Sequence, residues 1–126
     1  MQKLKKTVFV FGSNLAGRHG KGAARTAYLR HGAIYGRGVG PQGQAYAIPT
    51  KDYELNVLAL EDIKDFVDQF ILYADKNQDT IFRVTAIGCG LAGYSPKDIA
   101  PMFKDSPSNC KLPIEFRDIL KGIENE

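Results

Sequence analysis

The chain has 126 residues, 44% apolar and 25% charged, with 17 basic against 14 acidic side chains and a net charge of +3. That fits one globular domain, residues 1–126, and is too short for two ordinary ones. No apolar run approaches the roughly 18 residues of a membrane span, and the run behind the N-terminal lysines, Thr7 to Phe11, is too short for a signal-peptide core. A membrane partner is excluded and a reducing cytosol, hence a cytoplasmic protein, is the default. Nucleic acid is permitted and not implied, because the three lysines among residues 2 to 6 explain much of the basic excess.

Thr7 to Phe11 reads as a fully buried strand that runs into Gly12-Ser13-Asn14 and then a turn through Gly17, Gly20 and Gly22. Ser13 and Asn14 are placed to cap the next helix, Gly20 to Leu29, whose apolar or small residues Ala23, Ala24, Ala27 and Tyr28 share a face; Gly32 ends it, and His31 serves its carboxyl end. The five glycines from Gly32 to Gly43 predict a loop or a short irregular strand. Ala45 to Lys51 is a strand whose Pro49 argues for a strand end. Leu60 to Asn77 is the clearest helix, with Leu60, Ile63, Val67, Phe70, Ile71 and Ala74 in one stripe. Ile81 to Ile87 is a central strand, and Ser95 caps a short helix from Pro96 to Lys104. Cys110 to Phe116 reads as a last strand and Arg117 to Ile123 as a terminal helix. This alternation predicts an α/β fold: a mostly parallel sheet covered by helices on both faces.

Two glycine loops, each after an apolar strand, are expected to line one cleft: Gly12 to Gly22, and Gly88-Cys89-Gly90-Leu91-Ala92-Gly93-Tyr94. Such loops expose backbone N–H groups at strand ends and suit phosphate. The spacing Gly88-x-Gly90-x-x-Gly93 matches a dinucleotide fingerprint only superficially, since it lies deep in the chain with no acidic residue about 20 positions on. No Gly-Lys-Ser or Gly-Lys-Thr ending follows either loop, the two cysteines have no metal-ligand spacing, and no cofactor or metal is implied.

Asn14 offers a donor and an acceptor to a ribose hydroxyl or to a helix cap. His19 and Lys21 flank Gly20 in a turn expected to face the ligand, where His19 can move a proton near neutral pH. Lys51 reads as a surface charge, a diphosphate anchor or an amine nucleophile, with Asp52 beside it as its counter-charge or as a general acid or base. Cys89 reads as a small filler or, if loop amides lower its pKa, as a reactive thiol.

These residues resemble the macrodomain family of ADP-ribose-binding modules, which implies a three-layer α/β/α fold. Asn14 to Ala24 is similar to the family's asparagine and glycine-rich helix start, where the asparagine approaches the distal ribose. Ile87 to Tyr94 is similar to its loop around the diphosphate and distal ribose, with Tyr94 in place of an aromatic that covers the sugar. Pro49-Thr50-Lys51 is similar to the segment that carries the reactive lysine in glycohydrolases that remove terminal ADP-ribose from acidic side chains. Those enzymes have an aspartate where this chain has Ala92, and the family's adenine-contacting aspartate precedes the asparagine motif, ahead of where this chain starts. The resemblance implies binding of ADP-ribose or a related ribose phosphate, and hydrolysis of ADP-ribosyl esters or ADP-ribose-1''-phosphate. The alternatives are a non-catalytic reader of ADP-ribosylated protein or nucleic acid, and a partner-binding protein that has kept the fold without its ligand.

Overall fold

The computed structural model describes residues 5–124; of the N-terminal lysines, Lys3 lies outside them. The elements run β1 (Lys6–Asn14), α1 (Gly22–Arg30), β2 (Gly40–Gln42), β3 (Ala45–Lys51), α2 (Leu60–Asp75), β4 (Thr80–Val84), α3 (Pro96–Ile99), a 3-10 turn (Ala100–Phe103), β5 (Cys110–Lys111) and α4 (Ile114–Glu124). They form a small α/β domain with one five-stranded mixed sheet, ordered β2-β3-β1-β4-β5, in a three-layer α/β/α arrangement. β1 pairs in parallel with β3 and β4, and β4 with β5; only β2 runs antiparallel, against β3.

Several boundaries differ from expectation for identifiable reasons. β1 continues through Gly12, Ser13 and Asn14, which pair with Ile48, Pro49 and Lys51 of β3. The glycine-rich stretch contains β2, which covers only Ala45 to Ala47, so Pro49 lies beyond it and its missing N–H breaks no ladder on that side. β4 stops at Val84, three residues early, and the last strand is only Cys110–Lys111. Ile114, Glu115 and Phe116 are helical instead: Phe116, Ile119 and Leu120 repeat at i, i+3, i+4 and pack on the core, a period that a strand cannot satisfy. Ser95 behaves as expected, its N–H and Oγ both donating to the Asp98 carboxylate at 3.0 and 3.1 Å.

Strand alternation sorts the side chains onto two faces. Val10, Tyr46, Ile48, Phe82 and Val84 meet α2, α3, the 3-10 turn and α4; of the expected α2 stripe, Ile63, Val67, Phe70 and Ala74 are completely buried there, and Leu60 and Ile71 are partly buried against them. Phe9, Phe11, Ala45 and Ala47 face α1, which answers with Ala23, Ala24 and Ala27. The chain thus leaves β1 toward one face and β4 toward the other. Adjacent parallel strands that diverge in this way open a crevice at their carboxyl ends.

Candidate functional site

The first loop is shaped by close backbone contacts. Ser13 Oγ donates to the Gly38 carbonyl at 2.5 Å, and a Cβ on Gly38 would lie 2.1 Å from the Asn14 carbonyl oxygen, so only glycine fits. Asn14 is buried and closes the turn: its Oδ1 accepts the Arg18 N–H at 2.9 Å and its Nδ2 donates to the Arg18 carbonyl at 3.0 Å. It therefore does not cap α1, and neither does Ser13. The N-cap is Lys21, which makes no side-chain cap. The first-turn amides of Gly22, Ala23 and Ala24 consequently have no partner among the described residues, which leaves donors at the positive end of a helix.

His19 occupies a different place from the ligand-facing turn expected of it. It is 1% exposed, with Phe11 and Tyr35 edge-on to its ring at 5.3 and 5.9 Å. Its Nε2 lies 3.0 Å from the Arg37 carbonyl and 3.3 Å from Gln42 Oε1, both acceptors, which sets the Nε2–H tautomer. Gln42 Nε2 donates to the same Arg37 carbonyl, and Gln42 Oε1 also accepts the Ile34 N–H. His19 is therefore a buried knot beneath the loop.

The second loop is pinned to β1 by Thr85, whose N–H and Oγ1 both donate to the Val10 carbonyl. The amides of Ile87, Cys89, Gly93 and Tyr94 bond within the loop, whereas those of Gly88, Gly90, Leu91 and Ala92 take no partner among the described residues. Gly88 has φ +76°, and a Cβ there would press on Ile99 at 3.1 Å. Cys89 donates weakly to the Ile87 carbonyl, and burial, reinforced by Glu115 and Asp98, pushes its thiol up; it is no low-pKa nucleophile. Tyr94 packs against the core and its hydroxyl donates to the Leu58 carbonyl at 2.6 Å, which holds the ring away from the place expected over a sugar.

Between the two loops lies a cleft of about 1010 Å³. It gathers Gly12, Ser13, Asn14, Gly20, Lys21 and Gly22 from the first side, Gly88 through Ala92 from the second, and Lys51 from the end of β3. His19, Asp52, Gly93 and Tyr94 do not line it. Asp52 instead accepts the N–H groups of Glu54 and Asn56 on Oδ1, both at 2.9 Å, holding the turn after β3. Comparison with protein-family models, with curated proteins and with solved structures gives no match to this chain.

Sequence reasoning gave Arg18 no role within the first loop and missed Tyr35, Thr50, Leu55, Thr85 and Glu115, all of which line the cleft. Glu115, in the first turn of α4, is the one carboxylate among the lining residues, against the cations Arg18, Lys21 and Lys51. Its position was hidden because a strand was expected there; the helical period of Phe116, Ile119 and Leu120 was the available signal. Tyr35 is 53% exposed at the rim, an aromatic surface where the sequence suggested Tyr94. Two sets of unpartnered amides, three cations and one carboxylate around a roomy crevice suit a polyanionic ligand with a polar, hydroxyl-bearing body. Among the described residues no group of three or more His, Cys, Asp or Glu is placed to hold a metal ion.

Proposed function

We propose that the cleft binds ADP-ribose or a related ribose phosphate. The observation that carries this reading is the convergence of unpartnered amides from Gly22–Ala24 and from Gly88, Gly90, Leu91 and Ala92 on one crevice at the ends of β1, β3 and β4. Phosphate oxygens take those N–H groups, and Lys21 and Arg18 add charge at the mouth. Asn14 has one N–H and one oxygen lone pair beyond its loop-closing bonds, enough to hold a ribose hydroxyl. Tyr35 supplies a ring edge or face to the sugar or base. This is the macrodomain-like use of a three-layer fold, and it rests on the site and not on the fold alone.

Hydrolysis of an ADP-ribosyl ester or of ADP-ribose-1''-phosphate would draw on the same groups. With His19 and Asp52 outside the cleft, Glu115 is the carboxylate left to move a proton, and Lys51 is an amine lining the same cleft. A second reading, a non-catalytic reader of the modification, is favoured by Ala92, which puts no carboxylate on the loop itself. Calorimetric titration with ADP-ribose tests binding, and a release assay on an ADP-ribosylated protein separates the two chemistries. Binding with release that Glu115→Gln abolishes supports hydrolysis; binding with protection of the modified substrate supports the reader; no heat at millimolar ligand removes both.

A further inference from the structure

The net charge of +3 conceals a one-sided distribution of the acidic residues. The first 51 residues contain nine Lys and Arg and no Asp or Glu, whereas residues 52–126 contain eight Lys and Arg against all 14 acidic residues. The fold turns this order into geometry, because α1 and the loop before β2 cover one face of the sheet while α2, α3 and α4 cover the other. The outer side of α2 is acidic on balance, with Glu61, Asp62, Asp65 and Asp68 exposed and Lys64 paired to Asp68. On the opposite face Arg18, Lys21, Arg25, Arg30 and Arg37 are exposed, and none of them is ion-paired among the described residues.

Two tyrosines stand among these cations. Tyr28, 46% exposed on α1, meets Tyr35, 53% exposed in the following loop, edge to face at 5.5 Å. Lys21, Arg25 and Tyr28 follow one another at i, i+4 and i+3 steps, which puts them along one side of the helix. Arg18, Lys21 and Tyr35 also line the cleft, so the basic surface is continuous with its mouth.

We propose that the α1 face binds single-stranded nucleic acid, with Arg25, Arg30 and Arg37 on the phosphates and Tyr28 and Tyr35 as the stacking platform for bases. Four of the five cations are arginine, whose planar fork matches phosphate, and exposed aromatic rings interleaved with cations are how a strand with unpaired bases is held. An anionic bilayer fits less well: α1 turns its alanines to the sheet, and Leu29 is the one large aliphatic residue on its outer side. The surface shares Arg18, Lys21 and Tyr35 with the cleft, whereas Arg25, Tyr28, Arg30 and Arg37 lie outside its lining.

Fluorescence anisotropy of a labelled, unmodified 12-nucleotide strand of mixed sequence, titrated with the full chain at several salt concentrations, tests this. For three to five phosphate contacts the slope of log affinity against log salt is expected between about −2 and −3.5. Arg25→Glu with Arg30→Glu lowers affinity at least about tenfold, and Tyr28→Ala lowers it about fivefold or more, from the stacking of one base. Lys104→Glu with Lys111→Glu, exposed on the other half, changes it less than about twofold. Circular dichroism melts establish that each variant is folded. Absence of binding at low salt overturns the proposal. So does equal binding of the strand by wild type and Tyr28→Ala together with heparin bound as tightly as the strand, which would make the face a general polyanion surface. Because Arg25, Tyr28 and Arg30 do not line the cleft, ADP-ribose titration of the same variants keeps the two readings apart: the reading of the cleft expects its affinity to be unchanged in them.

Discussion

On the α2 side of the sheet, Tyr46, Ile48 and Phe82 meet Phe70, Phe103 and Phe116, all but Tyr46 completely buried. On the α1 side, Phe9 and Phe11 of β1 lie beside Ala45 and Ala47, but α1 itself brings only Ala23, Ala24 and Ala27, and the loops beyond them touch backbone to backbone. Large side chains on one face bury most of the apolar area and so most of the stability. The alanines of β3 and α1 on the other let α1 and the glycine loops come close to the strand ends, where the cleft opens. Stability and binding should therefore respond to different substitutions.

The largest separation is expected from Phe70→Ala, which empties a fully buried site in contact with Tyr46, Phe82 and Phe103. It should cost about 3–5 kcal/mol in urea denaturation while ADP-ribose affinity of the folded protein stays within about twofold. A loss below about 1 kcal/mol would mean that the α2 face does not dominate stability. Gly38→Ala reverses the pattern. Its Cβ meets the Asn14 carbonyl at 2.1 Å, and only backbone can give way, so the first loop must shift. A stability loss of about 2 kcal/mol with at least a tenfold loss of ADP-ribose affinity is expected by calorimetry.

Alkali probes the α2 face by itself. Burial, with Tyr73 adding to it, pushes the Tyr46 hydroxyl from 10.0 to about 12, and burial pushes the Cys110 thiol from 9.0 to about 11, with Lys111 opposing. Both groups hold their protons more tightly folded than unfolded, so their contribution is intact below about pH 9 and is lost as pH rises through about 11 and 12. Stability measured by urea at pH 8 and pH 11 should fall by about 2 kcal/mol, and Tyr46→Phe should lessen that fall. An equal fall in wild type and Tyr46→Phe would remove Tyr46 as a cause. The smallest effect belongs to the rim: Tyr35→Ala should weaken ADP-ribose binding about fivefold by calorimetry, with melting temperature nearly unchanged.

The α2 face was legible because its signals are local and periodic. The stripe from Ile63 to Ala74 specifies a helix, and Ser95-Pro96 with Asp98 specifies where another begins. The two glycine loops were legible as strand-end loops, and most of their residues do reach one cleft. What was not legible depends on contacts distant in sequence. His19 is buried because Arg37 and Gln42, 18 and 23 residues on, accept from its ring. Tyr94 is turned away by the Leu58 carbonyl, 36 residues back. Asp52 looked catalytic beside Lys51, yet two N–H groups of its own turn satisfy it. The charge segregation was visible in the sequence all along, but a net charge averaged it away.

The most direct test of the cleft is a titration of isotope-labelled protein with ADP-ribose, followed amide by amide in nitrogen–proton correlation spectra. Shifts concentrated at Gly22, Ala23 and Ala24 and at Gly88, Gly90, Leu91 and Ala92 are the predicted result, since these are the donors left without partners. No shift at millimolar ligand, or shifts confined to residues away from both loops, would contradict it.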